Sequence, residues 1–589
     1  MSGMKKRLLL SLSAAALAAP MAASRAQAIE VVVLDQVSQA AQRAELGFED
    51  LWGLSLAATA AAIGNSAAFN VERVDDGAAL DLSQNSPGGL QFAAIDLLGV
   101  DLGAGATDGV ALTAAAIGNT LSGTGEGQIT DLAVEQLLFA GQDASITLDR
   151  VVVSGLESSL SAAAIGNSAS LTAGAIGTAD GFDTVYQNNR GEQDAFIEAE
   201  DPAVLPTEAG AVLDATAAAI GNSLTLTATT GDLFLDGLSQ DSSRYGQIAA
   251  ISLDGVGDLA DSPTPVGVAS RSFLTANGTL VAAAIGNSAT LDAGGDVQLD
   301  EVSQLNAAHQ GSLVELVRVH GLGDLATTTV AIANSLSISG DGALAFDTAD
   351  GGIEQVNLHF QSVGLELTEL GLDGRVDLTA AAIGNSLSLS SGGAVALSDR
   401  SLLGQQNSNR HAATMALDRI DGVDGLSATV VAIGNSFSLA AGGDLAFGEL
   451  GAIEQGSYGP QTATLDIAEL NGMGAGELTL AAIGNSLSLD AEGTLSGVAP
   501  EITQLSTSPQ NVELSLGGVA DLASLDVTGV AIGNSLSLGA GAFEGTGGLA
   551  LGQNNSAMQT VSLSLNDAGL GALSATTAAI GNSASVTIR

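Results

Sequence analysis

The chain has 589 residues with 16 Lys+Arg against 65 Asp+Glu, no cysteine, and 46% apolar but only 3% aromatic residues. Such acidity excludes nucleic acid as a partner, because phosphates demand Lys/Arg contacts, and the missing cysteine excludes disulfide staples. What remains is a protein held by backbone ladders, side-chain ladders and apolar burial, and kept soluble by repulsion between chains.

In chain order, the first element is a targeting segment. Lys5, Lys6 and Arg7 precede a mostly apolar run from Leu8 to Ala19, and Ala26-Gln27-Ala28 follows. A basic head, a short apolar core and an Ala-x-Ala exit describe a secretory signal peptide over residues 1–28. The apolar run is too short for a permanent membrane span, and no later stretch reads as transmembrane. Both lysines lie in this segment. The expected mature chain therefore carries 12 Lys+Arg against 65 Asp+Glu, a net charge near −53, and is secreted to the cell surface in association with the outer membrane.

From there a tetrapeptide, Ile-Gly-Asn-Ser, recurs through the chain. Its asparagines are Asn65, Asn119, Asn167, Asn222, Asn287, Asn334, Asn385, Asn435, Asn485, Asn534 and Asn582, at intervals of 47 to 65 residues. Two copies vary: Thr120 replaces the serine and Ala333 the glycine. Self-similarity of this kind marks a stack of supersecondary units, each burying its apolar face against its neighbours.

The motif segments read as strands. In Leu478–Leu489, Thr479, Ala481, Ile483, Asn485, Leu487 and Leu489 fall on one face at period two, and small residues occupy most of the other. Turn residues follow at once, as at Ser391-Gly-Gly and Ala441-Gly-Gly. A second, glutamine-bearing strand lies about 20 residues on. It holds Gln304, Gln355, Gln455 and Gln504, and likewise Gln84, Gln136, Gln187, Gln240, Gln405 and Gln553. A third strand follows, as in Leu313–Val319, Leu365–Leu370 and Val512–Leu516. The fold class is all-β: a β-solenoid rod of about 11 units of roughly 50 residues, irregular over 29–303 and regular over 304–589. Fifty residues suffice for about two coils, which at a strand spacing of about 4.8 Å gives a rod of roughly 100 Å. One inward asparagine per unit points to an amide ladder, with Gln304, Gln355, Gln455 and Gln504 in a parallel role; Gly-Asn as a hairpin corner is the other reading. The insertions Ala195–Pro206 and Asp258–Pro265 are expected to leave the rod as loops, and Asn407 to sit near a strand edge. The array starts and stops mid-unit, so its ends are expected to expose unpaired strand edges suited to self-association.

No catalytic constellation stands out. His309, His320, His359 and His411 lie at unrelated register without metal-ligand spacing and read as surface or strand-face residues. Glu198/Asp201 and Asp421/Asp424 are carboxylate pairs that 65 acidic residues produce by chance. Gly321-Leu-Gly323 precedes no helix that could hold a phosphate. Thr225-Leu-Thr227 and Thr327-Thr-Thr329 are isolated rather than ice-binding rows. Trp52, Tyr186, Tyr245 and Tyr458 are too few to suggest a sugar-stacking platform. The expectation is no enzyme, no catalytic or metal residue and no cofactor, with calcium as the one candidate ion.

Exported strands with regularly spaced glutamine and Gly-Asn, small residues and no cysteine resemble curlin-type fibre subunits. The pattern Ala-Ala-Ile-Gly-Asn-Ser with Ser-Gln or Gln-Asn strands also resembles surface proteins that anchor the adhesive holdfast of stalked bacteria. The resemblance implies secretion and a structural role in adhesion, holdfast anchoring or biofilm, with other surface anchor proteins as partners. A ligand-binding solenoid for calcium or surface polysaccharide is the alternative, and a β-helical polysaccharide-processing enzyme a more distant one.

Overall fold

A computed structural model describes residues 31–49, 52–53, 56–71, 78–102, 110–153, 157–178, 183–200, 212–254, 276–346, 351–372, 374–449, 451–471, 474–498, 500–520, 522–545, 548–566 and 569–588. The signal segment 1–28 and the insertion 258–265 lie outside the described residues.

One regular unit shows the design. A long strand, Gly425–Ala441, carries the tetrapeptide at its centre. A short strand, Leu445–Phe447, follows the Ala441-Gly-Gly turn. Then come a first glutamine strand, Ala452–Ser457, and a second, Gln461–Ile467. Each pairs in parallel with the equivalent strand one unit along: Asn435 with Asn485, Gln455 with Gln504, and Gln461 with Gln510. One unit is therefore one coil, not two. Eleven coils at about 4.8 Å give a rod of about 50 Å, half the expected length. Long strands of 16 residues or more use up what a second coil would need.

The tetrapeptide is neither a hairpin corner nor part of a simple period-two strand. Along Ala475–Gly497 the inward residues are Leu478, Leu480 and Ala482; the phase then slips, so that Gly484 and Asn485 are both buried, and continues through Leu487 and Leu489. Thr479, Ala481 and Ile483 consequently face outward, against the expected face assignment. The slip requires a residue without a side chain. A Cβ on Gly484 would stand 2.5 Å from the Gly533 carbonyl of the next coil and 2.8 Å from Ser506 Oγ.

The slip divides the interior into two apolar compartments. The first half of the long strand packs on the second glutamine strand, joining Leu480 and Ala482 to Leu465, Ile467 and Leu514. The second half packs on the short and first glutamine strands, joining Leu487 and Leu489 to Leu445, Leu495 and Ile502. Burial of these side chains from water is the main non-specific drive for stacking. The polar residues at the slip lie between the two compartments.

The insertion expected to begin at Ala195 begins later. Ala195–Glu200 belongs to the strand Gln193–Glu200, paired on both sides, because Ala195, Ile197 and Ala199 supply inward apolar residues to the core; residues 201–206 lie outside the described residues.

Gly484→Val should lower stability by about 1–3 kcal/mol or more, as overpacking does, whereas Ile483→Val on the outer face should change it little. Thermal melts of the two variants check this directly.

Candidate functional site: three amide ladders and an outer corner

The asparagines form one continuous row, buried from Asn65 to Asn534 and exposed at its last member, Asn582. Each Nδ2 donates to Oδ1 of the asparagine one coil toward the C-terminus, from Asn65 to Asn119 through to Asn534 to Asn582, at 2.7–2.8 Å. Its second proton goes across the interior to a backbone carbonyl just beyond the first glutamine, as from Asn435 to Gly456 O and Asn485 to Leu505 O, both 2.9 Å. Both amide protons are thus satisfied in an apolar interior, where an unmade bond costs about 1–3 kcal/mol.

The first glutamines form a second row of opposite polarity. Gln355 donates to Gln304 Oε1, Gln455 to Gln405 and Gln504 to Gln455 at 2.7–2.8 Å, each toward the N-terminus. The row extends the same way through Gln84, Gln136, Gln187, Gln240 and Gln553. The second proton of each returns to a carbonyl after the tetrapeptide asparagine of the next unit: Gln355 to Ser386 O, Gln455 to Ser486 O and Gln504 to Ser535 O. Asparagine and glutamine rows therefore staple opposite walls of the coil to each other, and their amide dipoles run antiparallel.

A third row was not anticipated. Gln42, Gln91, Gln142, Gln193, Gln247, Gln310 and Gln361 stack at 2.7–2.9 Å at the start of the second glutamine strand. The row resumes with Gln461, Gln510 and Gln559. Its signal lay in the sequence as a glutamine six or seven residues after the first. Where the eighth coil should continue it stands His411, in register between Gln361 and Gln461. His411 is not a surface residue: it is fully buried, neither ring nitrogen has a partner, and burial pushes its pKa down to about 3. Asn407 is likewise no edge residue. It is buried in a short fourth row, accepting from Asn357 at 2.9 Å, which accepts from Asn306 at 3.0 Å.

His309 and His359 also depart from expectation. They occupy the same corner of successive coils, just before Gln310 and Gln361, with ring centroids 6.2 Å apart. Burial, then the neighbouring His359, lowers the His309 pKa to about 4. His320 lies in the strand His320–Gly340. Asp421 and Asp424 are exposed, Asp421 accepting from Asn471 Nδ2. Of the threonines, Thr327 and Thr329 are buried, while Thr225 and Thr227 face outward. Among the described residues no three His, Cys, Asp or Glu side chains stand close enough to hold a metal ion, and no helix is long and apolar enough to cross a membrane.

Outside the rod, two features recur. The outward half of the long strand stacks Thr379, Thr429, Thr479 and Thr528 in one column and Ile383, Ile433, Ile483 and Ile532 in another, a stripe without charge. At the corner between the two glutamine strands, Phe139, Tyr245, Phe360 and Tyr458 stand 43%, 44%, 39% and 42% exposed. A further acidic position lies near this corner: Asp194, with Oδ1 buried and unpartnered, has its pKa raised to about 7 by desolvation first and then by Glu192 and Asp143.

Asn435→Ala should cost roughly 1–3 kcal/mol by orphaning its neighbours' amides, and Asn407→Ala a comparable amount; denaturant melts check both. His411→Gln should raise the melting temperature by restoring the third row. The folded-state pKa of His411 lies below its ordinary 6.5, so the unfolded chain alone takes up a proton as pH falls from 6.5 toward about 3. Stability should decline over that window, and less in His411→Gln. Asp194 has the opposite sign: the folded chain holds a proton that the unfolded one has lost above pH 3.8, so its contribution is lost as pH rises through about 7. Asp194→Asn should remove that loss, read as a higher melting temperature at pH 8.

With this geometry established, comparison with known proteins adds one finding. A family described as Holdfast attachment protein D matches residues 370–588, the stretch holding the last five tetrapeptides. No curated protein and no solved structure matches the chain. Over those five coils, the most regular of the rod, the chain is similar to a holdfast attachment family.

Proposed function

We propose that the chain is an exported structural rod that helps fasten an adhesive holdfast, or material like it, to the cell surface. The observation that carries this reading is the stack of in-register amide rows, joined to the similarity of residues 370–588 to a holdfast attachment family. A rod braced in every coil by side-chain bonds resists bending and local opening, which is what a tether under load requires. The recurring residues of each unit are spent on stacking, and the family it resembles is one of attachment rather than catalysis. Export follows from the leader at 1–28, and the strongly acidic outer surface keeps neighbouring rods apart at low salt. Partners on this reading are other surface anchor proteins, with self-association favoured as salt screens that repulsion.

Two measurements test it. Deleting the gene in its host should release cells from a surface under flow and leave their adhesive material behind or shed; undiminished attachment would contradict the role. Removing residues 1–28 should retain the protein inside the cell without altering its fold. Surface protease digestion that still cleaves the truncated protein in intact cells would overturn the export assignment.

A further inference from the structure

The corner joining the two glutamine strands carries an alternation that the tetrapeptide repeat does not explain. Counting coils by the third amide row, Phe139 precedes Gln142 in the third coil, Tyr245 precedes Gln247 in the fifth, Phe360 precedes Gln361 in the seventh, and Tyr458 precedes Gln461 in the ninth. Exposed rings thus recur at every second coil, about 10 Å apart along the axis. The coils between present Arg190, His309 and Arg410 at the same corner. Arg190 lies 5.3 Å from the Phe139 ring centre and Arg244 5.4 Å from that of Tyr245; His309 stacks on Phe360 at 4.0 Å. Glu192 is the acidic residue of this corner. In a chain with 65 Asp+Glu against 16 Lys+Arg, three arginines on one ridge are a local reversal of charge.

We infer that this corner is a binding track for a linear β-1,4-linked saccharide chain. An extended chain of that linkage presents the same face of a pyranose ring at every second sugar, an interval about the length of two coils. Pyranose C–H faces stack on aromatic rings, whereas hydroxyls between them need hydrogen-bond donors; rings and donors alternate here in that order. A protein partner would need one contiguous apolar patch; here Leu90, Leu358 and His359 add apolar or ring surface beside single rings, but Arg190, Arg244, His309 and Arg410 interrupt the corner from coil to coil. His309 stacks on Phe360 and so steadies that ring. Tyr458 is held by its place in the coil: its amide donates to Asn407 O at 2.8 Å, and Ser508 Oγ donates to its carbonyl. The strands beneath are the amide-braced ones, so the rings are spaced by a scaffold rather than by a loop. The track stands on ring geometry, independent of whether the rod serves holdfast attachment.

Titration calorimetry of the purified chain with chitohexaose, cellohexaose and, as the α-linked control, maltohexaose tests it. At least one β-1,4 hexasaccharide should bind, at least about tenfold more tightly than its disaccharide or than maltohexaose. Tyr245→Ala, Phe360→Ala and Tyr458→Ala should each weaken binding, and the triple variant by at least about tenfold, with circular dichroism and melting unchanged. Phe360→Tyr and Tyr458→Phe, which keep the rings, should retain it. The proposal is overturned if neither β-1,4 hexasaccharide binds, or if the folded alanine variants bind as the parent does. Loss of cell attachment in the gene deletion, with no saccharide binding in vitro, would leave the tether and remove the track.

Discussion

A buried amide has few acceptable neighbours, and the best is another amide at one strand spacing. That constraint organises the molecule. Because each tetrapeptide asparagine donates both to its equivalent one coil on and to a carbonyl across the interior, coils must stack in register. Slippage by one residue would orphan a row of donors and reverse the faces of every strand at once. Parallel sheets specified only by apolar patterning lack so sharp a penalty. The spacing between asparagines varies from 47 residues to 65, yet Asn222 still pairs with Asn287 and Asn287 with Asn334. Added residues are tolerated where they leave the amide positions undisturbed.

The opposite polarity of the rows is a second consequence. A single column of aligned amides would accumulate a dipole along the rod, as a helix does. Asparagines donating toward the C-terminus run against two glutamine rows donating toward the N-terminus, so the rows offset each other only in part. Small residues complete the arrangement: Gly at the phase slip lets the asparagine turn inward, and Ala on the inner face lets the walls approach. The slip also places isoleucine outside, leaving an uncharged stripe on a strongly acidic protein. Charge borders that stripe on the same strands, where Asp377, Glu477 and Asp526 stand two residues before the threonine column.

Much of this was legible in the residues. The asparagine repeat, the strand class and the first glutamine row followed from period and alternation, and the holdfast-anchor resemblance from Ala-Ala-Ile-Gly-Asn-Ser with its glutamine strands. The coil count did not follow, because residue number per unit does not reveal how much each strand consumes; long strands of 16 or more residues halved it. The outward isoleucine was missed because period two was carried straight through Gly484, where the structure inserts a slip. His411 and Asn407 were misplaced because their burial depends on register with Gln361 and Asn357 one coil away, which spacing alone would have disclosed. The aromatic corner was obscured by scarcity: four rings about 100 to 115 residues apart look unrelated until the solenoid stacks them.

The account rests on the asparagine side chains being buried, doubly bonded and continuous. Hydrogen exchange of their Nδ2 protons, followed by NMR on a chain labelled with nitrogen-15 at asparagine, observes this directly. Slow exchange is predicted for Asn385, Asn435, Asn485 and their buried equivalents, and rapid exchange for the exposed Asn566. Exchange of the tetrapeptide amides at the rate of Asn566 would contradict the ladder and the single-coil architecture built upon it.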